Sequence, residues 1–523
     1  MSEGPLSKIS PDSKESMQIR LRHLARSVFS NWFAMAANLA VGFFLAPFVV
    51  HRLGNLAYGV WILTVSTVAY LGLLDLGLAS SVVRYVSKAY ATQSHEEASE
   101  LFSGVLWVRL QISAMVLLIA GTLAVLFPHI FKVPPGLAAN ARFAVLIIGL
   151  ASATYMALGV YGSVLSALNR YDLRTYATLT QLIVRVVGVV SVLRAGHGIV
   201  ALAICELASV LIGSAIVLAL ARRIYPELRL QLGRPRREVL RKIWSYSFYA
   251  FLLTVAIQLI YETDNLVVGA VVSASAVTFY SIGNSLCNYA RQLISAMTLA
   301  FTPAASGYDA QGESAKLRAL YYHGTRATMI ISLPIAITFL IRGTTFIALW
   351  MGPQYAPTSG PVLAILAVAF MLNAPNSVAS SIAWGVGKHK IAAMWIVPEA
   401  IANFTLSIFL ARWIGIYGVA IGTLIPNLVT SQVMWPRLVR QLVGVTYHEV
   451  WREIWGPVYL CAIPFAAASY WVNRILPPQR MSMFLLQTAA LLTIFVLTVV
   501  TVLGDRYFPK YIPSSARPGG TGR

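Results

Sequence analysis

Residues 198–220 read GIVALAICELASVLIGSAIVLAL and are followed by Arg222 and Arg223. About 20 apolar residues cross a bilayer core of ~30 Å as a helix. This run has that length and one ionisable side chain, Glu206. Runs of the same character stand at about 27–50, 57–80, 103–127, 142–168, 173–193, 244–270, 275–303, 326–348, 360–385, 391–411, 416–436, 453–473 and 482–503, giving fourteen expected spans. Of the 523 residues, 58% are hydrophobic and only 11% charged, against ~25% charged in ordinary soluble domains. A water-soluble enzyme is excluded, and the absence of period-two alternation argues against a β-barrel. The expected fold class is an all-α polytopic membrane protein of about fourteen transmembrane helices. Cys205, Cys287 and Cys461 all lie in apolar runs, so neither a disulfide framework nor a metal cluster is expected. The polar, basic first 26 residues are not expected to form a cleavable signal peptide.

The net charge of +21 gains its meaning from where the 40 cations sit. With the N-terminus placed in the cytoplasm and the sides alternating, 29 fall on inside segments. Eight fall outside: Arg52, Lys132, Arg142, Arg194, Arg342, Arg412, Arg474 and Arg480. Arg109, Arg185 and Arg291 remain within spans. This is the bias of the positive-inside rule, and it accounts for the basic charge without nucleic acid. Both termini are expected in the cytoplasm.

The expected organisation is a basic tail (1–26), a six-helix bundle (27–220), a basic linker with Pro226 and Pro235 (221–243), a second bundle (244–442), helices thirteen and fourteen (443–505) and a tail (506–523). Ser163, Arg170 and Arg194 recur as Ser381, Lys388 and Arg412, and Gly198 as Gly418, at a nearly constant offset. Such an offset over several loops indicates a duplicated unit. An even number of helices per unit gives both copies the same orientation.

ATP chemistry has no place in this chain. Gly385-Val-Gly-Lys388 resembles part of a phosphate loop, but His389 stands where Ser or Thr is required. No cofactor is expected, and no enzyme. Ionisable groups within spans are costly and are therefore functional candidates. Asn284, Asn288, Arg291 and Ser295 share one helical face. They line a cavity for an anion or form an interhelical hydrogen-bond seam. Arg185 and Glu206 stand equally far from the hairpin at 195–196, so they pair as a salt bridge or meet substrate. Gln258, Glu262 and Asn265 share a face with Asp264 turned away. Glu262 and Asp264 are candidates for coupling to an ion, with Asp264 alternatively reaching water at the outer end. Asp75, Arg109 and Glu399 are expected to snorkel or cap helix ends. Pro47, Pro303, Pro334, Pro375, Pro398 and Pro426 allow bending within or at the ends of spans.

Leu71-Gly-Leu-Leu-Asp75-Leu-Gly-Leu with Arg84-Tyr-Val-Ser, Tyr261-Glu-Thr-Asp264-Asn-Leu-Val-Val-Gly269, Val277-Thr-Phe-Tyr280-Ser-Ile, Arg170-Tyr-Asp-Leu and Gly196-His-Gly198 resemble segments of polysaccharide-export flippases of the Wzx type. These belong to the MOP superfamily, which also holds MATE-like multidrug exporters and lipid II flippases. The resemblance covers roughly 27–505. It implies two six-helix bundles in a MATE-like V with a central cavity. It implies transport of an undecaprenyl-pyrophosphate-linked oligosaccharide to the outer leaflet for surface polysaccharide. Its implied partners are that lipid-linked oligosaccharide, membrane lipids, H+ or Na+ as coupling ion, and polysaccharide assembly proteins. Only Asp264 and Arg291 carry over from the matched segments; with the reading of the residues themselves, Arg291, Asn288, Asn284 and Arg185 are the substrate-binding candidates and Asp264, Glu262 and Glu206 the coupling candidates. A cation-coupled exporter of drugs or metabolites is the alternative within the same fold. A membrane glycosyltransferase or polymerase fits less well, since a large external loop and a sugar-nucleotide site are missing.

Overall fold

The computed structural model describes residues 11–75, 78–231, 255–260 and 262–507, and every regular element among them is helical. Ten helical stretches are long and apolar enough to cross a membrane. They carry eleven of the fourteen expected spans, because Trp32–Asp75 runs the first two together. Span seven is expected from 244, and its residues 244–254 lie outside the described residues. Spans eight and thirteen are present as the helices Ala274–Leu299 and Gly456–Ile475, diluted in hydropathy by residues such as Asn284, Arg291, Asn473 and Arg474. The expected linker is described only as far as residue 231, and tail residues 1–10 and 508–523 also lie outside.

By contacts the chain divides into two compact units, Met1–Ser281 with Ser407–Val419, and Ile282–Leu406 with Ala420–Arg523. The first contains α1 (Pro11–Ala69), α2 (Leu78–Ala91), α3 (His95–Ile130), α4 (Pro135–Leu158), α5 (Val160–Ala167), α6 (Tyr171–Arg194) and α7 (Ile199–Ile224). Between α1 and α2 lies a 3-10 turn, Tyr70–Asp75. α1 bends at Gly54, whose φ of 75° and ψ of 166° belong to a region essentially reserved for glycine. The α6–α7 hairpin turns at Gly196, with φ of 80°. Small residues bring these helices close, as they do where packing rather than the hydrophobic effect joins helices in lipid. Gly149 lies against Ala120 of α3, and Gly188 against Cys205 of α7.

The later helices are α8 (Ala274–Leu299), α9 (Phe301–Ala310), α10 (Ser314–Trp350), α11 (Ala356–Asn373), α12 (Asn376–Gly385), α13 (His389–Ile414), α14 (Ile416–Val429), α15 (Trp435–Val443), α16 (Gly456–Ile475) and α17 (Met481–Tyr507). Expected span ten is divided into α11 and α12 at Pro375, where a proline interrupts the hydrogen-bond ladder. A π-helical turn, Thr430–Met434, follows Pro426. The second unit's core gathers Met329 and Leu333 of α10, Phe465 of α16 and Phe495 of α17 with Trp455. Elsewhere large apolar side chains face outward: Phe44 is 75% exposed, Leu118 74% and Leu486 73%. A soluble protein does not sustain so many, whereas lipid covers them.

Arg342 was counted with the outside segments, at the outer end of expected span 326–348, but it is fully buried in α10. Its guanidinium donates to Gln487 Oε1 and to Thr488 Oγ1 (3.3 Å) on α17, and it lies 4.4 Å from the Phe484 ring centroid. Near a helix end a long cation reaches the interface only where no neighbour offers acceptors. Here α17 offers them.

Candidate functional site

In the first unit α6 and α7 are adjacent and antiparallel, and their hairpin brings Arg185 level with Glu206. Arg185 Nη1 lies 3.4 Å from Glu206 Oε2 and 3.5 Å from Oε1. The expected pairing is present, and neither partner is fully enclosed: their side chains are 38% and 24% exposed. Both line a cavity of about 490 Å³ bounded by α1, α4, α6 and α7. Trp61, Val65, Ile148 and Val189 contribute to its largely apolar walls, and Gln181, Tyr155 and Ser152 add polar groups. Its size lies in the range of small-molecule sites.

A second pair in the same unit is differently built. Arg109 of α3 is 4% exposed. It donates through Nη2 to Asp75 Oδ1, and through Nη1 to the Met156 carbonyl oxygen at 3.1 Å. Arg109 was expected to snorkel, and its enclosure overturns this; Asp75, expected to snorkel or cap a helix end, pairs with Arg109 and also accepts from the Ala79 backbone N–H at the start of α2. Burying the guanidinium is tolerable because a carboxylate and a backbone carbonyl both accept from it.

Asp264 is 2% exposed, so it does not reach water. Tyr280 Oη donates to its Oδ2 at 2.5 Å. Its neighbours are engaged with α1 and the 3-10 turn that follows it: Asn265 Nδ2 donates to Ser66 Oγ at 3.4 Å, and Tyr70 Oη pairs with Thr263 Oγ1 and donates to the Gln258 carbonyl at 3.3 Å. Glu262 is half-buried beside this cluster.

In the second unit Arg291 Nη2 donates to Asn284 Oδ1 (3.3 Å) and to Asn288 Oδ1. Three members of the expected polar stripe therefore gather on α8, the guanidinium held by acceptors of its own helix. Ser295 is exposed. Glu399 was expected to snorkel or to cap a helix end. It is instead 8% exposed and accepts from Asn427 Nδ2 of α14 at 3.3 Å. It lines a small pocket with Thr430, Trp395 and Trp435.

The profile of a family described as polysaccharide biosynthesis protein matches residues 53–360, more than half the chain, including Arg185, Glu206 and α8. The chain belongs to this family. It is 22% identical over 433 residues to the uncharacterized membrane protein EpsK of Bacillus subtilis (strain 168), covering 82% of this chain and 85% of EpsK. It is 21% identical over 169 residues to the lipopolysaccharide biosynthesis protein WzxC of Escherichia coli (strain K12), covering 32% and 34% of the two chains. Among solved structures, the lipid II flippase MurJ in an inward closed conformation superposes with a TM-score of 0.70 at 13% identity, over 92% of this chain and 99% of that one. The fold is therefore the one shared by MurJ, as the resemblance to Wzx-type flippases implies.

Proposed function

We propose that this chain flips an undecaprenyl-pyrophosphate-linked oligosaccharide from the inner to the outer leaflet of a bacterial cytoplasmic membrane, by alternating access and with both termini in the cytoplasm. The observation that carries this reading is the cavity of about 490 Å³ in the first unit, where Arg185 stands in largely apolar walls. An anionic pyrophosphate head needs a cation away from bulk water. A guanidinium supplies one with a planar fork of donors matched to phosphate oxygens. The cavity suits the head group and the first sugar. The polyprenyl chain stays in lipid, where its burial costs nothing. The family description and the fold shared with a lipid II flippase support the same reading.

Within the second unit, Arg291 is separately proposed as a cation for an anionic substrate, with Asn284 and Asn288 holding its guanidinium until the anion arrives. Its test is flipping of lipid-linked oligosaccharide by the reconstituted protein. Arg291→Lys keeps the charge without the fork and should retain partial activity, whereas Arg291→Ala should retain very little. A charge-assisted hydrogen bond is worth ~1.5–3 kcal/mol, so substrate binding should weaken roughly 10- to 150-fold. Arg291→Ala protein that is abundant, stable and fully active removes Arg291 from the site. The apolar cavity walls favour one alternative, export of small apolar compounds. Transport of such compounds, with no flipping of the lipid-linked glycan, would establish it instead.

A further inference from the structure

The first unit contains two ion pairs built to different standards. Arg109–Asp75 has its guanidinium almost wholly enclosed, with a second acceptor in the Met156 carbonyl. Arg185–Glu206 is long, at 3.4 and 3.5 Å, engages only Nη1 of the guanidinium in these contacts, and opens onto a cavity. A pair whose task is to hold two helices together gains from short, forked, enclosed geometry. The loose pair lacks each of these properties. It stands where the proposed substrate would bind.

We propose that Glu206 is a resident stand-in for the substrate phosphate: its carboxylate occupies Arg185 between transport cycles, gives way when an organic pyrophosphate enters, and returns to expel it. This rests on the reading that the chain carries a pyrophosphate-linked substrate, and it adds the means of release.

The physical argument concerns net charge in apolar walls. The pair is neutral as a unit, so the cavity with Glu206 on Arg185 carries no uncompensated charge. A pyrophosphate entering beside an intact pair would meet one cation and one anion, with no net attraction. In surroundings of low dielectric that balance is decisive, since charges a few ångströms apart interact by several kcal/mol there. Binding therefore requires exchange of one anion for another on the same guanidinium. The long contact makes exchange cheap, and the 38% exposure of Arg185 gives the incoming group access. Among the described residues, no other charged group lines the cavity wall. α1 contributes Trp61, α4 contributes Tyr155, and α6 and α7 contribute the pair itself. Tyr161 of α5 packs against Phe102, with ring centroids 5.1 Å apart. An unopposed Arg185 would bind phosphate more tightly and release it too slowly to turn over. Glu206 thus sets affinity low enough for transport, at the cost of binding strength.

The test uses the purified full-length chain, with farnesyl pyrophosphate as a sugar-free probe. Glu206→Gln should bind the probe at least about tenfold more tightly than the parent, on the scale of one charge-assisted hydrogen bond. It should also flip substrate more slowly at saturation. Arg185→Ala should lose probe binding while keeping its melting temperature, and Arg185→Lys should bind weakly. Glu206→Gln protein with unchanged or weaker probe affinity overturns the proposal. So does a shared fall in melting temperature for Glu206→Gln and Arg185→Ala, which would make the pair structural. Tighter probe binding by Glu206→Gln, in a protein that moves no lipid-linked glycan, upholds the exchange and overturns the glycan reading alone.

Discussion

Arg109 and Arg185 are the same residue type within one unit, yet Arg109 is enclosed and Arg185 borders a cavity. Removing one partner of an enclosed pair leaves a buried charge without compensation, which costs ~3–5 kcal/mol. Arg109→Ala should therefore lower the melting temperature and membrane abundance sharply, and Arg109→Leu with Asp75→Leu should recover much of the loss. Thermal unfolding of the two purified variants checks this. Asp264 invites a different experiment. We assign it to ion coupling, and Asp264→Asn preserves its size and its acceptor for the Tyr280 hydroxyl. That variant should remain folded and flip substrate without dependence on an ion gradient. Wild-type sensitivity to collapsing the gradients, retained in Asp264→Asn, would free Asp264 of that role. The equal distance of Arg185 and Glu206 from their hairpin made that pair legible in the sequence. The same rule applies to Asp75 and Arg109, equidistant from Thr92 in the turn before α3, and to Asp264 and Tyr280, equidistant from Val272 just before α8. Those pairs were legible too, and the expectation of snorkelling hid the first of them. Arg342 with Gln487 was not, because 145 residues and several helices separate the partners and no local spacing records their meeting.

At the scale of the element, helix positions follow from apolar run length, while interruptions follow from single residues. Pro375 and Gly159 divide spans that hydropathy reads as continuous. Gly54 interrupts as well: this one non-helical residue kinks α1 between the first two expected spans. Nothing lies within 4 Å of the place a Cβ would occupy there, so Gly54→Ala isolates the backbone term from any clash. Its backbone conformation costs a non-glycine residue ~1–3 kcal/mol, and the variant should be destabilised by about that amount in chemical or thermal unfolding. An unchanged midpoint would mean that the bend relaxes. A neighbouring position behaves differently. A Cβ on Gly59 would fall 1.8 Å from the Ala274 carbonyl oxygen, so Gly59→Ala must displace backbone rather than merely strain it.

For the whole molecule, the distribution of charge predicts orientation. Even with Arg342 withdrawn from the outside count, cations remain concentrated on one set of loops, and the positive-inside rule assigns those to the cytoplasm. With Cys205, Cys287 and Cys461 replaced, single cysteines at Gly136, Gln354 and Gln479 should react with an impermeant thiol reagent from outside intact cells. Cysteines at Gln93 and Gln231 should react only after lysis. The opposite labelling pattern would invert the molecule. The bond from Arg342 to α17 also has a consequence in time. Residue 342 leaves the ribosome 145 residues before Gln487. At ~5–20 residues per second, its guanidinium waits roughly 7–30 s for its acceptors. Throughout that interval the guanidinium lacks these acceptors, and a chain truncated before residue 487 never gains them. Arg342 thus makes the burial of a charge in α10 depend on the arrival of α17, a helix synthesised much later.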